Sequence, residues 1–154
     1  MILTDQEVER YARQVIMPHI GEDGQKRLLG ARVLVVGAGG LGTPVILYLA
    51  AAGIGHITII DDDIVDQSNL QRQIIHNDNS IGIPKVFSAQ KAIKEQNPHV
   101  VVKPYNRRLN QDIANPSGEN STGIYLRDDH CDWRSSGMLS LIHNSEPTRP
   151  RLIS

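Results

Sequence analysis

Residues 31–53 constrain the chain more than any other stretch. Ala31-Arg32-Val33-Leu34-Val35-Val36 is rich in β-branched residues and shows no polar alternation after Arg32, the pattern of a parallel strand buried on both faces. Gly37, Gly39, Gly40 and Gly42 end that strand, and residues 43–52 form an alanine-rich helical stretch closed by Gly53, as expected of a helix stopped by glycine. Gly37-Ala38-Gly39-Gly40-Leu41-Gly42 therefore matches G-x-G-x-x-G between a strand and a helix, the context that gives the motif its meaning. Glycines there let the backbone turn tightly and approach a phosphate, while the helix start offers free N–H groups and partial positive charge. The motif alone does not separate NAD, FAD and ATP.

The flanking segments extend the same pattern. Ile57-Thr58-Ile59-Ile60 reads as a second buried strand that stops at Asp61-Asp62-Asp63. Pro84 suits the first turn of a helix that places Val86, Ala89 and Ile93 on one face and breaks at Asn97-Pro98. Val100-Val101-Val102 reads as a third strand. Strand, helix, strand, helix, strand with short connections predicts a right-handed parallel unit, the first half of a doubly wound sheet. Ahead of it, Thr4-Asp5-Gln6-Glu7 fits a capping box for a helix over about 5–14, and a second helix is expected over about 22–29. The predicted fold is α/β: a truncated Rossmann-like parallel sheet (31–112) behind an N-terminal helical arm (1–30), with an irregular C-terminal tail (113–154) that shows neither strand nor helix period.

A length of 154 residues suits one domain. With 16 Lys+Arg against 17 Asp+Glu, the net charge of -1 provides no basic field for nucleic acid. No apolar run approaches the roughly 18 residues that cross a bilayer, and the acidic start is unlike a signal peptide; the expected location is the cytoplasm. The lone Cys131 excludes an intramolecular disulfide and a cysteine-rich zinc site. His19, His56, His76, His99 and His143 are dispersed with no i, i+4 pair, so no histidine metal site is expected.

Asp61 lies 19 residues after Gly42, at the end of the second strand, where a carboxylate accepts hydrogen bonds from ribose hydroxyls; Asp63 is read as a loop or helix cap. Ser68-Asn69-Leu70-Gln71-Arg72-Gln73 and, further on, Lys85 narrow the ligand. A triphosphate attacked at its α-phosphorus needs charge neutralisation at the leaving oxygens, which Arg72 and Lys85 can supply. Composition alone would make Lys85 a surface cation.

Through Arg10-Tyr11-Ala12-Arg13-Gln14, the glycine loop, Asp61 to Gln73, and Gly82-Ile83-Pro84-Lys85, residues 5–112 resemble the adenylyltransferases of the ThiF/MoeB/HesA superfamily, bacterial relatives of ubiquitin-activating enzymes. The resemblance implies that the carboxylate of a ubiquitin-like or sulfur-carrier protein ending in Gly-Gly attacks the α-phosphorus of ATP, giving an acyl-adenylate and pyrophosphate. It also implies the roles. Gly40, within the cradle of Gly37, Gly39 and Gly42, lines the nucleotide. Asp61 holds the ribose, and Ser68, Asn69, Leu70, Gln71 and Arg72 wrap the nucleotide with Asn69 and Arg72 near the phosphates. Lys85 neutralises the β- and γ-phosphates, and Arg13 reaches across a homodimer interface to the partner's ATP.

The chain also departs from that pattern. After Leu109 the family continues into a strand ending in Asp-Gly-Thr-Asp-Asn, whose aspartate coordinates Mg2+; no such segment follows here. Asp128, Asp129 and Asp132 read as solvated acids and Cys131 as an incidental thiol, and from about Asn115 onward the sequence reads as foreign or out of frame. Two other functions compete. An NAD-dependent oxidoreductase leaves Arg72 and Lys85 unexplained, and a non-catalytic nucleotide-binding scaffold half is favoured by the missing magnesium ligand.

Overall fold

The computed structural model describes residues 2–108 and, as backbone strands, residues 121–127 and 144–145. Three parallel strands, β1 (Arg32–Val36), β2 (His56–Asp61) and β3 (Val101–Asn106), lie in the order β3-β2-β1, with Val33 opposite Ile57 and Ile57 opposite Val102. Three helices precede them: α1 (Asp5–Arg10), α2 (Ala12–Val15) and α3 (Gly21–Gly30). Two more, α4 (Gly42–Ala52) and α5 (Lys85–Gln96), make the crossovers. Successive right-handed crossovers put both on one face of the sheet. There Val33, Val35, Ile57 and Ile59 pack with Ile46, Ala50, Val86, Ala89 and Ile93 in one core, while Leu34 and Ile60 form a smaller cluster with Val36. The predicted stripe on α5 is borne out, since Val86, Ala89 and Ile93 are each 0% exposed. Fully burying each valine or isoleucine stabilises by about 1.5–3 kcal/mol.

The helical arm closes the other end of the sheet. The capping box forms as read: the Glu7 N–H donates to Thr4 Oγ1 at 3.3 Å and the Thr4 N–H to Glu7 Oε2 at 2.8 Å. The helix expected over 5–14 breaks at Tyr11, because that ring turns inward and is buried against Gly53. Gly53 caps α4 in the left-handed conformation (φ 85°), and a Cβ there would lie 2.6 Å from Tyr11 Cζ. Asn97, at the end of α5, donates from its amide to the Tyr11 hydroxyl at 2.8 Å and to the Ala50 carbonyl at 2.7 Å. A Cβ on Gly55 would overlap the Leu29 carbonyl. The arm thus occupies the amino ends of the strands, and the carboxyl ends are left to the glycine loop.

The tail expected to be irregular is corrected at two stretches. β4 (Ser121–Arg127) runs antiparallel to β1, pairing Arg32 with Arg127 through Val36 with Gly123, and β5 (Asn144–Ser145) pairs antiparallel with β4. The free edge of β1 presents unpaired N–H and C=O groups that template another strand. Ile124-Tyr125-Leu126 supplies strand-forming residues in a run too short to show a period. Asp128, Asp129, Cys131 and Asp132, like the 112/113 boundary, lie outside the described residues. No helix among the described residues is long and apolar enough to cross a membrane.

Candidate functional site

The glycine loop sits at the carboxyl ends of β1 and β2. Gly37 takes φ 91° and donates its N–H to the Ile60 carbonyl at 2.8 Å, carrying the β1–β2 ladder one residue beyond the strand. It is the one loop glycine with positive φ; the others are needed for space. The Gly39 carbonyl accepts from Thr43 N–H at 2.9 Å and so begins the first turn of α4. A Cβ on Gly39 would meet nothing closer than Gln73 Nε2 at 3.9 Å, and one on Gly40 would first meet the Arg72 side chain at 3.5 Å. The loop therefore leaves open room above its backbone, roofed on one side by Arg72.

Asp61 ends β2 and ties down this loop. One carboxylate oxygen accepts the Ala38 N–H at 2.6 Å and the other accepts the Asp63 N–H at 2.8 Å, leaving a further lone pair on each. Lys85, the first residue of α5, is 5% exposed, so the surface-cation reading that composition favours is overturned. Its Nζ lies 2.9 Å from Asp63 Oδ2, and its N–H donates to the Asp63 carbonyl at 2.9 Å. A buried ammonium requires such a partner. Asp63, read as a loop or helix cap, thus holds both the backbone and the charge of the α5 start.

The Ser68–Gln73 segment is a tight turn. Asp66 caps it by accepting from Ser68 N–H at 2.8 Å, and the Asn69 carbonyl accepts the N–H groups of Arg72 and Gln73 at 3.1 and 3.0 Å. The Arg72 guanidinium donates to Asn69 Oδ1 at 2.7 Å and to the Ser68 carbonyl at 3.4 Å, which directs the side chain over Gly40. Leu70 is half-buried and Gln71 exposed. Gln73, assigned no role from sequence, is buried, and its Oε1 lacks a hydrogen-bond partner.

Behind the loop, His76 and Ser88 are both buried. His76 Nε2 lies 3.1 Å from the Ala38 carbonyl and Nδ1 lies 2.8 Å from Ser88 Oγ. Burial holds the imidazole below its ordinary pKa, and the charge of Lys85 pushes the same way. In the sequence His76 is one of several dispersed histidines with no metal-ligand spacing. Nothing local marks its real partners, which lie 38 residues before it and 12 after it.

Gly37, Gly39, Gly40, Asp61, Asn69, Arg72 and Lys85 thus converge at one end of the sheet, with Gly42 opening α4 beside them. Arg13 does not join them. It is exposed on α2, in the arm that packs on the far ends of α4 and α5.

A parallel sheet whose first strand runs through a glycine loop into a helix, and whose second ends in an acid, defines a Rossmann-like α/β fold of the nucleotide-binding type. The chain belongs to the ThiF family, whose profile matches residues 11–129 and so runs past residue 112. It is 40% identical over 149 residues to the SAMP-activating enzyme E1 of Haloferax volcanii, covering 90% of this chain and 54% of that protein. It is 55% identical over 107 residues to the probable adenylyltransferase/sulfurtransferase MoeZ of Mycobacterium tuberculosis, covering 70% of this chain and 27% of that protein. Among solved structures, the E. coli tRNA N6-threonylcarbamoyladenosine dehydratase TcdA in complex with ATP superposes with a TM-score of 0.68 at 29% identity, covering 73% of this chain and 45% of that one. The chain therefore spans between about a quarter and about half the length of these proteins, and the named adenylyltransferase relative is an enzyme.

Proposed function

We propose that this chain is the nucleotide-binding part of an ATP-dependent adenylyltransferase that activates the Gly-Gly carboxylate of a sulfur-carrier or ubiquitin-like protein as an acyl-adenylate. One observation carries the reading: the Arg72 side chain lies over an open glycine loop, and a buried ammonium, Lys85, is paired with Asp63, two residues beyond the acid that holds that loop. A dinucleotide pyrophosphate is held by loop amides and the helix start alone, whereas a leaving pyrophosphate needs this additional positive charge. The chain's resemblance to an ATP-complexed structure and to a named adenylyltransferase supports the same reading.

In this reading the ribose hydroxyls donate to the free lone pairs of Asp61. The phosphates lie over Gly39 and Gly40, within reach of the Gln73 carboxamide, and Arg72 spans the β- and γ-phosphates. Lys85, desolvated and held against Asp63, adds its charge beside the same oxygens. As the carrier carboxylate bonds to the α-phosphorus, the bond to the β-phosphate oxygen breaks and its electron pair leaves with pyrophosphate, whose charge these two cations stabilise.

Magnesium, which the resemblance implies, does not fit the acids among the described residues. Asp61, Asp62 and Asp63 bring ligand atoms within 4.8 Å of one another. In this reading, however, Asp61 gives the lone pairs left by its two backbone bonds to the ribose, and Asp63 holds Lys85. Arg13 lies too far around the fold to serve its own loop, which accords with a role across a homodimer interface.

Calorimetric titration with ATP and with NAD tests the proposal. ATP binding that weakens at least tenfold in Arg72→Ala, with no NAD binding, is the expected result; NAD bound in preference to ATP would overturn it. Exchange of radiolabelled pyrophosphate into ATP, with a panel of Gly-Gly carriers, separates a catalytic chain from a binding half.

A further inference from the structure

We infer that His76, oriented by Ser88, is a positioning residue that fixes the Ala38–Gly39 peptide of the glycine loop and thereby aims the amides that face the phosphates. The inference rests on the nucleotide reading of that loop. The Ala38 carbonyl can only accept, so the imidazole must carry its proton on Nε2, 3.1 Å away. Nδ1 is then a bare acceptor, and Ser88 Oγ, 2.8 Å away, donates to it. Ser88 sits inside α5, where a serine hydroxyl commonly turns back to the carbonyl four residues earlier; here it is spent on selecting the tautomer. The other side of Ala38 is held as well, because its N–H donates to Asp61 at 2.6 Å.

Ala38 is therefore pinned at both its amide and its carbonyl, and the two anchors come from different elements. Through Asp61, Asp63 and Lys85 the network returns to α5, three residues from Ser88. With both peptide planes of Ala38 set, little rotation is left to the Gly39 N–H, which lies in the second of them. Such fixed donors need no reorganisation when charge develops on a phosphate. A glycine loop without this brace would sample many conformations, since glycine restricts the backbone least.

The test compares His76→Leu, which fills the space without a donor, His76→Gln, whose amide can still donate to Ala38, and Ser88→Ala, which removes only the tautomer-setting hydroxyl. ATP and adenosine are titrated in parallel on the full chain. The expected result is that His76→Leu loses roughly fivefold to a hundredfold in ATP affinity while adenosine affinity stays within twofold. His76→Gln recovers most of the ATP loss, and Ser88→Ala falls between. Equal losses for ATP and adenosine, or no loss, would overturn the inference, because a residue that only fills the core would not single out the phosphates. Should His76→Leu fail to fold, Ser88→Ala and His76→Gln carry the comparison. Should the native chain bind neither ligand, the nucleotide reading fails on its own, and hydrogen exchange of the Gly39 and Gly40 amides still decides the brace. Exchange about tenfold faster in Ser88→Ala than in native protein or His76→Gln supports it, and unchanged exchange overturns it.

Discussion

The glycines at the two ends of the sheet are there for opposite reasons. At the amino ends of the strands, Gly53 and Gly55 are glycine because the space is full: a Cβ would enter the Tyr11 ring in one case and the Leu29 carbonyl in the other. At the carboxyl ends, Gly39 and Gly40 are glycine where space is left open, with nothing nearer than 3.9 and 3.5 Å to an added Cβ. The polar groups do not divide the same way: Asn97 spends its amide on Tyr11 and Ala50, but Gln14 and Gln25 in the arm, like Gln73 beside the loop, keep a buried oxygen without a partner. By its glycines, one end is filled by the chain itself and the other is left open.

Substitutions at these positions sharpen or break the contrast. Gly55→Ala should have the largest effect, because the new methyl meets backbone that cannot step aside; we expect a loss of about 3 kcal/mol or more, read as a collapsed melting temperature. A near-native Tm in Gly55→Ala would show that the arm is looser than its contacts suggest. Gly40→Val should do the reverse, leaving the melting temperature within a few degrees while ATP affinity falls at least about a hundredfold, or ~2.7 kcal/mol. The reason is bulk above the loop and not backbone strain, since Gly40 does not have positive φ. Unchanged ATP affinity in a folded Gly40→Val protein would remove the phosphate from this loop.

Asp61→Ala is expected to weaken ATP roughly tenfold to a hundredfold in a calorimetric titration, the worth of charge-assisted bonds to a ribose. Because Asp61 also holds Ala38, part of that loss should persist for inorganic triphosphate, which has no ribose. At the arm, Thr4→Ala removes the capping hydroxyl and should cost about 1 kcal/mol by thermal unfolding with no change in ATP affinity.

The last effect is acid sensitivity. The His76 pKa is depressed in the folded chain, so the unfolded chain binds more protons wherever the two states differ. Stability is full above the ordinary histidine value near 6.5 and declines as pH falls from there through the folded value. Glu7, lowered by its bonds to Thr4, adds its own loss only below about pH 4.5, near the ordinary carboxylate value. Denaturation midpoints measured between pH 7.5 and 5 should therefore fall for the native chain and fall less for His76→Gln.

The sequence made the layers legible because layers are written in local periods. Val33 to Val36, Ile57 with Ile59 and Ile60, and the Val86, Ala89, Ile93 stripe each declare a buried face within a few residues, and all lie in the cores expected of them. The glycine loop and Asp61 were legible for a related reason, since their spacing is set by one strand–helix–strand unit. What escaped was long-range. Lys85 reads as a surface cation until Asp63, 22 residues earlier, is seen beside it. His76 reads as an isolated imidazole until Ala38 and Ser88 are seen on either side. Tyr11 breaks a helix for the sake of Gly53 and Asn97, which no helical period can announce.

The placement of α5 has one mechanical result. At its first turn the helix carries Lys85 and Ser88, and at its last it is capped by Asn97, moored to Tyr11. Twelve residues of α-helix make a stiff rod about 18 Å long. A twist or slide of that rod moves the ammonium and the loop brace together, in fixed proportion, and tugs on the arm at the opposite pole. Cation and brace cannot be retuned one at a time by shifting the backbone; only exchange of the side chains themselves uncouples them.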